Sequence, residues 1–407
     1  MTSTLDDVVA QPFPWARPPI DPPEAYQLLR EEGPVVRVLS RTDEPIWLVS
    51  RYDDVRQILA DPRVSSDMLK PGFPLLGTAG LTKEQVPFQR MDPPVHTIFR
   101  RLLAKHFLVK KVNEVRPRIQ ELVDEQITAM LASPDRRADL VEALATPVSA
   151  TVLGWYLGVP AEDRRFFVKA ADEALGSSNP TDPEAMARGQ AAVGALFGYL
   201  AGKAAERAEQ ADPGSDILGA LVQAAKQGEI TMQDVVNTCF VLIVAGHDTT
   251  TSMTGLGTLT LLQHPEQMAE LRSNPALIPN AIEEMLRYLT IVHLIVIRVA
   301  TEDIEIGGVT IPAGEGIIPL NFSANRDDAH YPDAASFDVH RAARDHFAFG
   351  YGVHQCIGQA LARAELEIIF ETLLRRVPTL ALDARPEDLD VKVWSPINGL
   401  HALPVSW

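Results

Sequence analysis

The amino-acid sequence predicts one mainly α-helical domain that spans residues 1–407. Residues 112–226 carry apolar side chains at helical spacing, with only short breaks. Residues 231–263 form a further long helical stretch that is bounded by start and stop signals. The sequence has no internal repeat and no low-complexity linker. A single compact helical unit is therefore the simplest organisation.

Composition and charge exclude several classes of function. Hydrophobic residues make up 46% of the 407, which supports a large buried core, and the net charge is -17. Such an acidic chain is unsuited to binding nucleic acid. The two cysteines, Cys239 and Cys356, lie far apart, which favours a reducing compartment over a disulfide framework. We find neither a signal-peptide pattern nor a membrane-spanning run, so we expect a cytoplasmic monomer without membrane contact.

The first elements are short. Residues 1–23 are a proline-rich, extended lead-in, followed by a helix over residues 24–31. The runs Val35–Leu39 and Ile46–Val49 predict a β-hairpin, and Tyr52–Ala60 predicts a helix. Residues 65–91 scatter apolar side chains among Pro and Gly without periodicity. This stretch is either a binding loop or a loop packed onto the core, and the pattern leaves both open.

A capped helix follows at Asp92, where two prolines occupy the first helical positions. His96 and Arg100 lie on one face of it and could together hold a carboxylate, or simply form a solvated face. Between His96 and Arg118 the chain is locally basic, which indicates either docking of an acidic partner or an ordinary solvated face. The basic residues in this patch are Arg100, Arg101, Lys105, Lys110, Lys111 and Arg116.

The long helix should begin at a capping box formed by Thr231 and Asp234 and end at Gln263. Its middle reads Ala-Gly-His-Asp-Thr-Thr over residues 245–250, although polar groups are costly in a buried helix. We expect a widened or kinked turn there that admits ligand and water, with Asp248 and Thr249 relaying protons. The alternative is that the threonine hydroxyls bond back to carbonyls one turn earlier.

Strand-like runs come next, over Ile291–Ala300, Ile304–Ile311 and Gly316–Leu320. The helix before them carries Glu284 and Arg287 at i, i+3, a spacing that is common on solvated helices and is a weak signal by itself.

The most informative stretch holds Cys356 in a glycine-punctuated loop, residues 349–358, that leads into a helix over residues 359–376. A helix N-terminus lowers the pKa of a nearby thiol. The thiolate could be a nucleophile, a zinc ligand or the axial ligand of a haem iron, or the cysteine could be a buried core residue. Zinc is disfavoured because no second cysteine lies nearby, and His354 is poorly placed as the base for a nucleophile.

The fixed positions of this loop, Phe-Gly-x-Gly-x-His-x-Cys-x-Gly, resemble the haem-binding loop of the cytochrome P450 family. Residues 245–250 resemble the oxygen-activating segment of that family, and Glu284 and Arg287 resemble its Glu-x-x-Arg pair. The likeness is to the soluble bacterial class, particularly actinomycete members. It implies the cytochrome P450 fold, with about a dozen helices, small β-sheets and haem b between the long central helix and the helix after the cysteine loop.

The resemblance also implies roles for individual residues. Cys356 would ligate the haem iron, and Thr249 and Asp248 would deliver protons to bound dioxygen. Further cofactor contacts would come from Phe349, Gly350, Gly358, Ala245 and Gly246, and propionate contacts from His96, Arg100, Arg298 and His354. A structural network would comprise Glu284, Arg287 and Arg341. Candidate substrate contacts, which could equally be core residues, are Leu75, Leu76, Phe88, Val244, Leu294, Val296 and Ile397.

The implied function is a monooxygenase that inserts one oxygen atom of O2 into a C–H bond of a mainly apolar small molecule such as a macrolide, terpenoid or steroid. The sequence has no flavin, iron–sulfur or dinucleotide motif, so electrons should come from a ferredoxin and its reductase. Haem-thiolate chemistry of another kind (a peroxygenase, oxidative coupling or nitric oxide reduction) is one alternative. A cysteine-nucleophile hydrolase and a haem-binding sensor without turnover are two others.

Overall fold

The computed structural model describes residues 4–15, 20–74, 83–176, 182–292, 295–392 and 395–407. The helices in these residues are α1 (Leu5–Val9), α2 (Ala25–Glu32), α3 (Tyr52–Ala60), α4 (Val95–Ala104), α5 (Val109–Leu131), α6 (Thr146–Leu157), α7 (Arg164–Gly176), α8 (Pro183–Ala208), α9 (Ile217–Lys226), α10 (Met232–Gln263), α11 (Pro265–Ser273), α12 (Ile278–Leu289), α13 (Asn321–Ala324) and α14 (Gln359–Arg376). The strands are β1 (Val35–Leu39), β2 (Pro45–Val49), β3 (Val64–Ser65), β4 (Arg137–Asp139), β5 (Arg298–Ala300), β6 (Ile304–Ile306), β7 (Val309–Ile311), β8 (Gly316–Pro319), β9 (Ala381–Leu382) and β10 (Pro404–Ser406). The predicted mainly α class with small sheets is confirmed.

The chain forms two compact units, each assembled from separate segments. The first comprises Met1–Thr97, Glu283–Phe337 and Ala342–Cys356. Its main sheet has the strand order β1-β2-β8-β5-β3, and β6 pairs with β7. Strands β1 and β2 are antiparallel, which confirms the predicted hairpin. Helix α3 packs its apolar side against this sheet, because its buried residues share one core cluster with residues of β2 and β8.

The second unit comprises Ile98–Ile282, Asp338–Arg341 and Ile357–Trp407. Helix α10 is its longest element, and its N-terminus is closed by the predicted capping box. The backbone N–H of Asp234 donates to Oγ1 of Thr231 (3.1 Å), and the N–H of Thr231 donates to Oδ2 of Asp234 (2.8 Å). The small sheet β4-β10-β9 also belongs to this unit. In the described residues, no helix has both the length and the hydropathy of a membrane-spanning segment.

Helix α10 is α-helical along its whole length, so the turn at Gly246 is not widened, whereas the alternative of a kinked turn stays a prediction. The glycine has a packing reason instead. A Cβ at this position would lie 3.1 Å from Cδ1 of Leu153 on α6, closer than an ordinary van der Waals contact. Gly246 therefore allows α6 to approach α10 closely, and this need was not visible in the local sequence.

Three further local predictions differ from the structure. Helix α1 was missed in the lead-in, although Thr4 and Asp7 form a capping box that signals it. Among the described residues of the run 291–300, the strand is limited to Arg298–Ala300, where pairing with β8 begins at Arg298. The carboxylate of Asp92 accepts hydrogen bonds from Ser65 and Ser66 instead of capping α4. The extent of β5 is thus set by pairing with β8, and the bonds of the Asp92 side chain are set by the segment at Ser65 and Ser66; both partners are distant in sequence.

Glu365 on α14 provides a prediction about pH. It is buried, and burial raises its pKa well above the usual range. The folded protein keeps this proton after the unfolded chain has released it above about pH 4.3. Stability should therefore fall by about 1.4 kcal/mol per pH unit from there up to the raised pKa. We expect Glu365→Gln, which cannot titrate, to become progressively more stable relative to wild type as the pH rises from about 5 toward the raised pKa of Glu365.

Urea unfolding at several pH values measures this difference. Glu371→Gln is the matched control, because Glu371 lies on the same helix with an exposed side chain. An unfolding free energy that differs between wild type and Glu365→Gln by the same amount at every pH would show that Glu365 does not titrate as proposed.

Candidate functional site

The predicted cysteine loop closes on itself just before α14. The backbone N–H of Cys356 donates a 2.8 Å hydrogen bond to the carbonyl of Phe349. Gly350 and Gly352 have φ values of 67° and 74°, in the left-handed region that favours glycine. At Gly352, a Cβ would also lie 2.4 Å from the carbonyl oxygen of Leu59. The loop thus presents a half-buried thiol that is in no disulfide.

A buried ion pair on α12 supports the segment that leads into this loop. Glu284 and Arg287 form two parallel hydrogen bonds of 2.7 Å each, and neither side chain is exposed. The remaining guanidinium nitrogen of Arg287 donates to the carbonyls of Asn325 (2.7 Å) and Ala334 (2.9 Å). The side chain of Asn325 in turn accepts from the N–H of Phe347 (2.8 Å). Hydrogen bonds therefore connect the ion pair to the start of the cysteine loop.

Another buried arginine in this region was not assigned a role from the sequence. The guanidinium of Arg326 donates to the carbonyls of Tyr288 (2.8 Å) and Ala335 (3.0 Å) and lies 3.7 Å from the centre of the Tyr288 ring. Burial lowers its pKa to about 10. The backbone carbonyl of Arg341 accepts a 3.0 Å bond from Asn280, and the predicted role of the Arg341 side chain stays a prediction.

The middle of α10 exposes the small side chain of Ala245. Ala245 is exposed and Thr249, one turn later, is half-buried. The hydroxyl of Thr249 donates a 2.6 Å hydrogen bond to the carbonyl of Ala245, which is the back-bonding arrangement considered as the alternative. This bond uses the hydroxyl proton and leaves the oxygen lone pairs able to accept.

Asp248 has a partner that the sequence did not reveal. Its carboxylate forms an ion pair with the ammonium group of Lys392, and the two side chains are only 2% and 13% exposed. The backbone N–H of Lys392 is held by the carbonyl of Gly399 (2.9 Å). The pair joins residues 144 positions apart, so no local pattern could have predicted it.

The neighbouring residue, His247, ties α10 to two other helices. Its Nδ1 lies 2.9 Å from Oγ of Ser149 on α6, and its Nε2 lies 3.4 Å from Oδ1 of Asp172 on α7. Ser149 also bonds to the hydroxyl of Thr251 (2.9 Å). The buried side chains of His247, Ser149 and Thr251 are therefore paired with one another, as burial requires.

The structure brings together part of the set expected to bind propionates. The rings of His96 and His354 lie 4.1 Å apart, and Phe88 stacks on His96 with ring centroids 6.2 Å apart. Arg100 follows His96 by one turn on α4. Arg298 is buried at the start of β5, and burial lowers its pKa to about 10.

The predicted substrate contacts have mixed surroundings. Phe88 and Ile397 are buried, whereas Val244 and Val296 are half-buried, with Val296 packed against the core of the first unit. Three of the predicted contacts lie outside the described residues, and these are Leu75, Leu76 and Leu294. The substrate contacts therefore stay predictions.

The arrangement of these motifs agrees with the family whose loop they resemble. The cytochrome P450 family model matches residues 13–389, which includes the cysteine loop, α10 and the buried ion pair. The chain belongs to the cytochrome P450 family. It is therefore an oxidoreductase, and the cofactor of its family is haem b.

Relatives of this P450 match it over nearly their full length. Cytochrome P450 GfsF from Streptomyces halstedii is 44% identical over 396 residues, which cover 96% of this chain and 94% of that protein. Vitamin D3 dihydroxylase from Streptomyces griseolus is 42% identical over 393 residues, which cover 96% and 95%. The crystal structure of mycinamicin VIII C21 methyl hydroxylase from Micromonospora griseorubida, bound to mycinamicin VIII, has a TM-score of 0.89 and 41% identity and covers 97% of this chain and 99% of that one.

The residues of this P450 fit haem b. The cysteine loop offers a partly accessible sulfur, which is the donor that a haem-thiolate iron requires. In the described residues, the buried guanidinium of Arg298 forms no ion pair with a carboxylate, and a propionate would supply one. Exposed Ala245 presents little bulk on α10, as a flat macrocycle needs.

Proposed function

We propose that this P450 is a monooxygenase that inserts one oxygen atom of O2 into a C–H bond of a mainly apolar small molecule, and that the sulfur of Cys356 would hold the iron of haem b. When bound, the haem supplies the redox centre at which dioxygen is activated. The observation that carries the proposal is the geometry of the cysteine loop. Cys356 is half-buried in this loop, and its backbone N–H donates a 2.8 Å hydrogen bond to the carbonyl of Phe349. His96, Arg100, Arg298 and His354 would hold the propionates.

Thr249 and Asp248 are proposed to manage protons for this reaction. With its own proton bonded to the carbonyl of Ala245, the Thr249 oxygen is an acceptor that can position a donor such as water. Asp248 is the nearest acidic side chain along α10 and is buried. A buried carboxylate next to a hydroxyl is suited to passing protons inward, since both can donate and accept in turn.

Lys392 would hold Asp248 in place for the relay. In its ion pair the carboxylate charge is balanced by the ammonium group, which makes burial of the carboxylate tolerable. The bond from Lys392 occupies Oδ1 of Asp248, whereas Oδ2 has no hydrogen-bond partner in the described residues and is available to exchange a proton. We therefore propose Lys392 as a positioning residue for the relay.

The proposed substrate is a macrolide, terpenoid or steroid-like compound. The names of the relatives support this class, because one hydroxylates mycinamicin VIII and another is a dihydroxylase of vitamin D3. The candidate contacts are correspondingly apolar, with Phe88, Val244, Val296 and Ile397 in the described residues. Apolar walls bind by burial and set few directional constraints, so they favour a class of substrate rather than one compound.

The electron donor is proposed to be a ferredoxin that docks on the basic patch. Fewer basic residues of this patch are available to a partner than the sequence suggested, because three of them form ion pairs with acidic side chains of the same chain. These are Arg101 with Glu229, Lys111 with Glu114 and Arg116 with Glu367. Lys105 and Lys110 remain on either side of Leu108 and Val109, which are 56% and 65% exposed. Exposed apolar side chains flanked by lysines suit an acidic partner.

Turnover with a surrogate ferredoxin and its reductase tests the proposal. Compounds from the macrolide, terpenoid and steroid classes would be screened by the haem absorption change on binding, and a binder would be assayed for hydroxylated product. We expect Thr249→Ala to slow product formation by about 10²-fold, since proton delivery contributes that much. Electrons should still be consumed and appear as hydrogen peroxide.

Thr258→Ala is the matched control, because its hydroxyl makes the same bond one turn back, to Thr254 (2.8 Å), further along α10. It should match wild type in both product and peroxide. Equal product from Thr249→Ala and wild type would contradict the relay. Product formed with hydrogen peroxide alone, at the rate seen with ferredoxin, would favour a peroxygenase instead.

A further inference from the structure

Two arginines of the first unit converge on one carbonyl oxygen. Nη1 of Arg298 donates to the carbonyl of Ile297 at 2.8 Å, and Nη1 of Arg90 approaches the same oxygen at 3.4 Å. Arg90 ends the short helical turn that begins at Phe88, and its guanidinium lies 5.4 Å from the centre of the Phe73 ring. The ring and the carbonyl together hold the guanidinium in place.

The surroundings of this pair provide little negative charge to balance the two guanidinium groups. Burial lowers the pKa of each guanidinium to about 10, and the closeness of Arg90 lowers that of Arg298 further. The charge of Asp92 acts in the opposite direction on Arg298, but the Asp92 carboxylate bonds to Ser65 and Ser66 and not to either guanidinium. In the described part of the chain, neither guanidinium forms an ion pair with a carboxylate.

A bound carboxylate would balance the positive charge of the two guanidinium groups and accept hydrogen bonds from their remaining N–H donors. Each guanidinium carries five N–H donors in a planar fork, and the shared carbonyl accepts only one from each. Two forks held side by side match the two oxygens of a carboxylate better than a single cation does. The turn that carries Arg90 also carries Phe88, which stacks on His96 of the expected propionate set.

We propose that Arg90 and Arg298 together form a carboxylate-binding site. Arg90 was not among the residues that the motifs predicted, and its function here rests on the proposed haem function of this P450. The carboxylate comes either from a haem propionate or from an acidic substrate. Both sources offer the same chemistry to the two guanidinium groups, and a pair of measurements separates them.

The experiment compares wild type with Arg90→Gln, Arg90→Lys and the control Arg63→Gln, whose arginine lies at the surface beside Asp61. Release of haem b to apomyoglobin would be followed by absorbance, in parallel with release of haem dimethyl ester. Binding of dodecanoic acid and of methyl dodecanoate would be titrated by the haem absorption change.

A propionate source predicts that Arg90→Gln speeds release of haem b about tenfold, the effect of one lost charged hydrogen bond, and leaves release of the ester unchanged. A substrate source predicts about tenfold weaker binding of the acid and unchanged binding of its methyl ester. Either result supports the site. Arg90→Lys should fall between wild type and Arg90→Gln, because it keeps the charge without the fork.

Equal effects on acid and ester, or no effect in both measurements, would overturn the site and leave Arg90 with a packing role. If Arg90→Gln does not fold, Arg90→Lys takes its place in the test. The change that it causes in haem release or in ligand binding is then compared between the acid form and the ester form. The reduced, carbon monoxide-treated spectrum of wild type checks the proposed function separately. A wild-type spectrum without thiolate ligation would refute that function before any Arg90 variant is compared.

Discussion

Replacing Cys356 with serine is expected to abolish the strongly red-shifted Soret band that a thiolate-ligated haem shows when reduced and exposed to carbon monoxide. A serine hydroxyl keeps nearly the same shape in the loop but cannot supply the sulfur anion that donates electron density to the iron. Monooxygenase turnover should be lost together with the band. The measurement is the reduced carbon monoxide difference spectrum of purified wild type and variant at equal haem content.

The matched control is Cys239→Ser, because Cys239 is the only other cysteine in the sequence. It lies 1% exposed on α10, and burial raises the pKa of its thiol to about 12. Such a thiol stays protonated and is a poor ligand. We expect this variant to keep the band and to lose only stability. A band that survives in Cys356→Ser and disappears in Cys239→Ser would show that Cys239, and not Cys356, supplies the thiolate ligand.

Replacing Arg287 with methionine is expected to lower the free energy of unfolding by about 3–5 kcal/mol, because it removes the two parallel hydrogen bonds and the charge that Arg287 supplies to the buried Glu284 carboxylate. The loss should reach the cysteine loop, since Arg287 also holds Asn325, which holds Phe347. The variant should therefore retain less haem as well as unfold earlier. Denaturant unfolding and haem content per protein are the two measurements.

The chain offers a close control for this prediction. Arg385 and Asp388 also form two parallel bonds of 2.7 Å at i, i+3, but their side chains are 70% and 52% exposed. Arg385→Met should change stability by no more than about 1 kcal/mol. The double variant Glu284→Gln with Arg287→Met should recover part of the lost free energy of unfolding, because the buried negative charge of Glu284 is then removed together with the positive charge of Arg287. Equal effects of the two arginine substitutions would mean that burial of the first pair contributes nothing.

Much of the fold followed from local signals. The start of α10 and its approximate end were predicted correctly because Thr231, Asp234 and Pro265 act on their immediate neighbours. The cysteine loop was predicted for a similar reason, since Gly350 and Gly352 are required by positive φ values within the loop itself. The single-domain organisation stays a prediction, and we propose it because the family model runs through segments of both units.

The sequence by itself was enough to predict the family of this protein and to nominate the residues that we propose for its chemistry, because motifs such as that around Cys356 are contiguous. The tertiary structure alone decided the partners of those residues. Lys392 reaches Asp248 across 144 positions, Ser149 reaches His247 across 98, and Arg90 meets Arg298 at one carbonyl. Buried polar groups must be paired wherever the fold places a partner, and that placement depends on the packing of the whole unit rather than on sequence spacing.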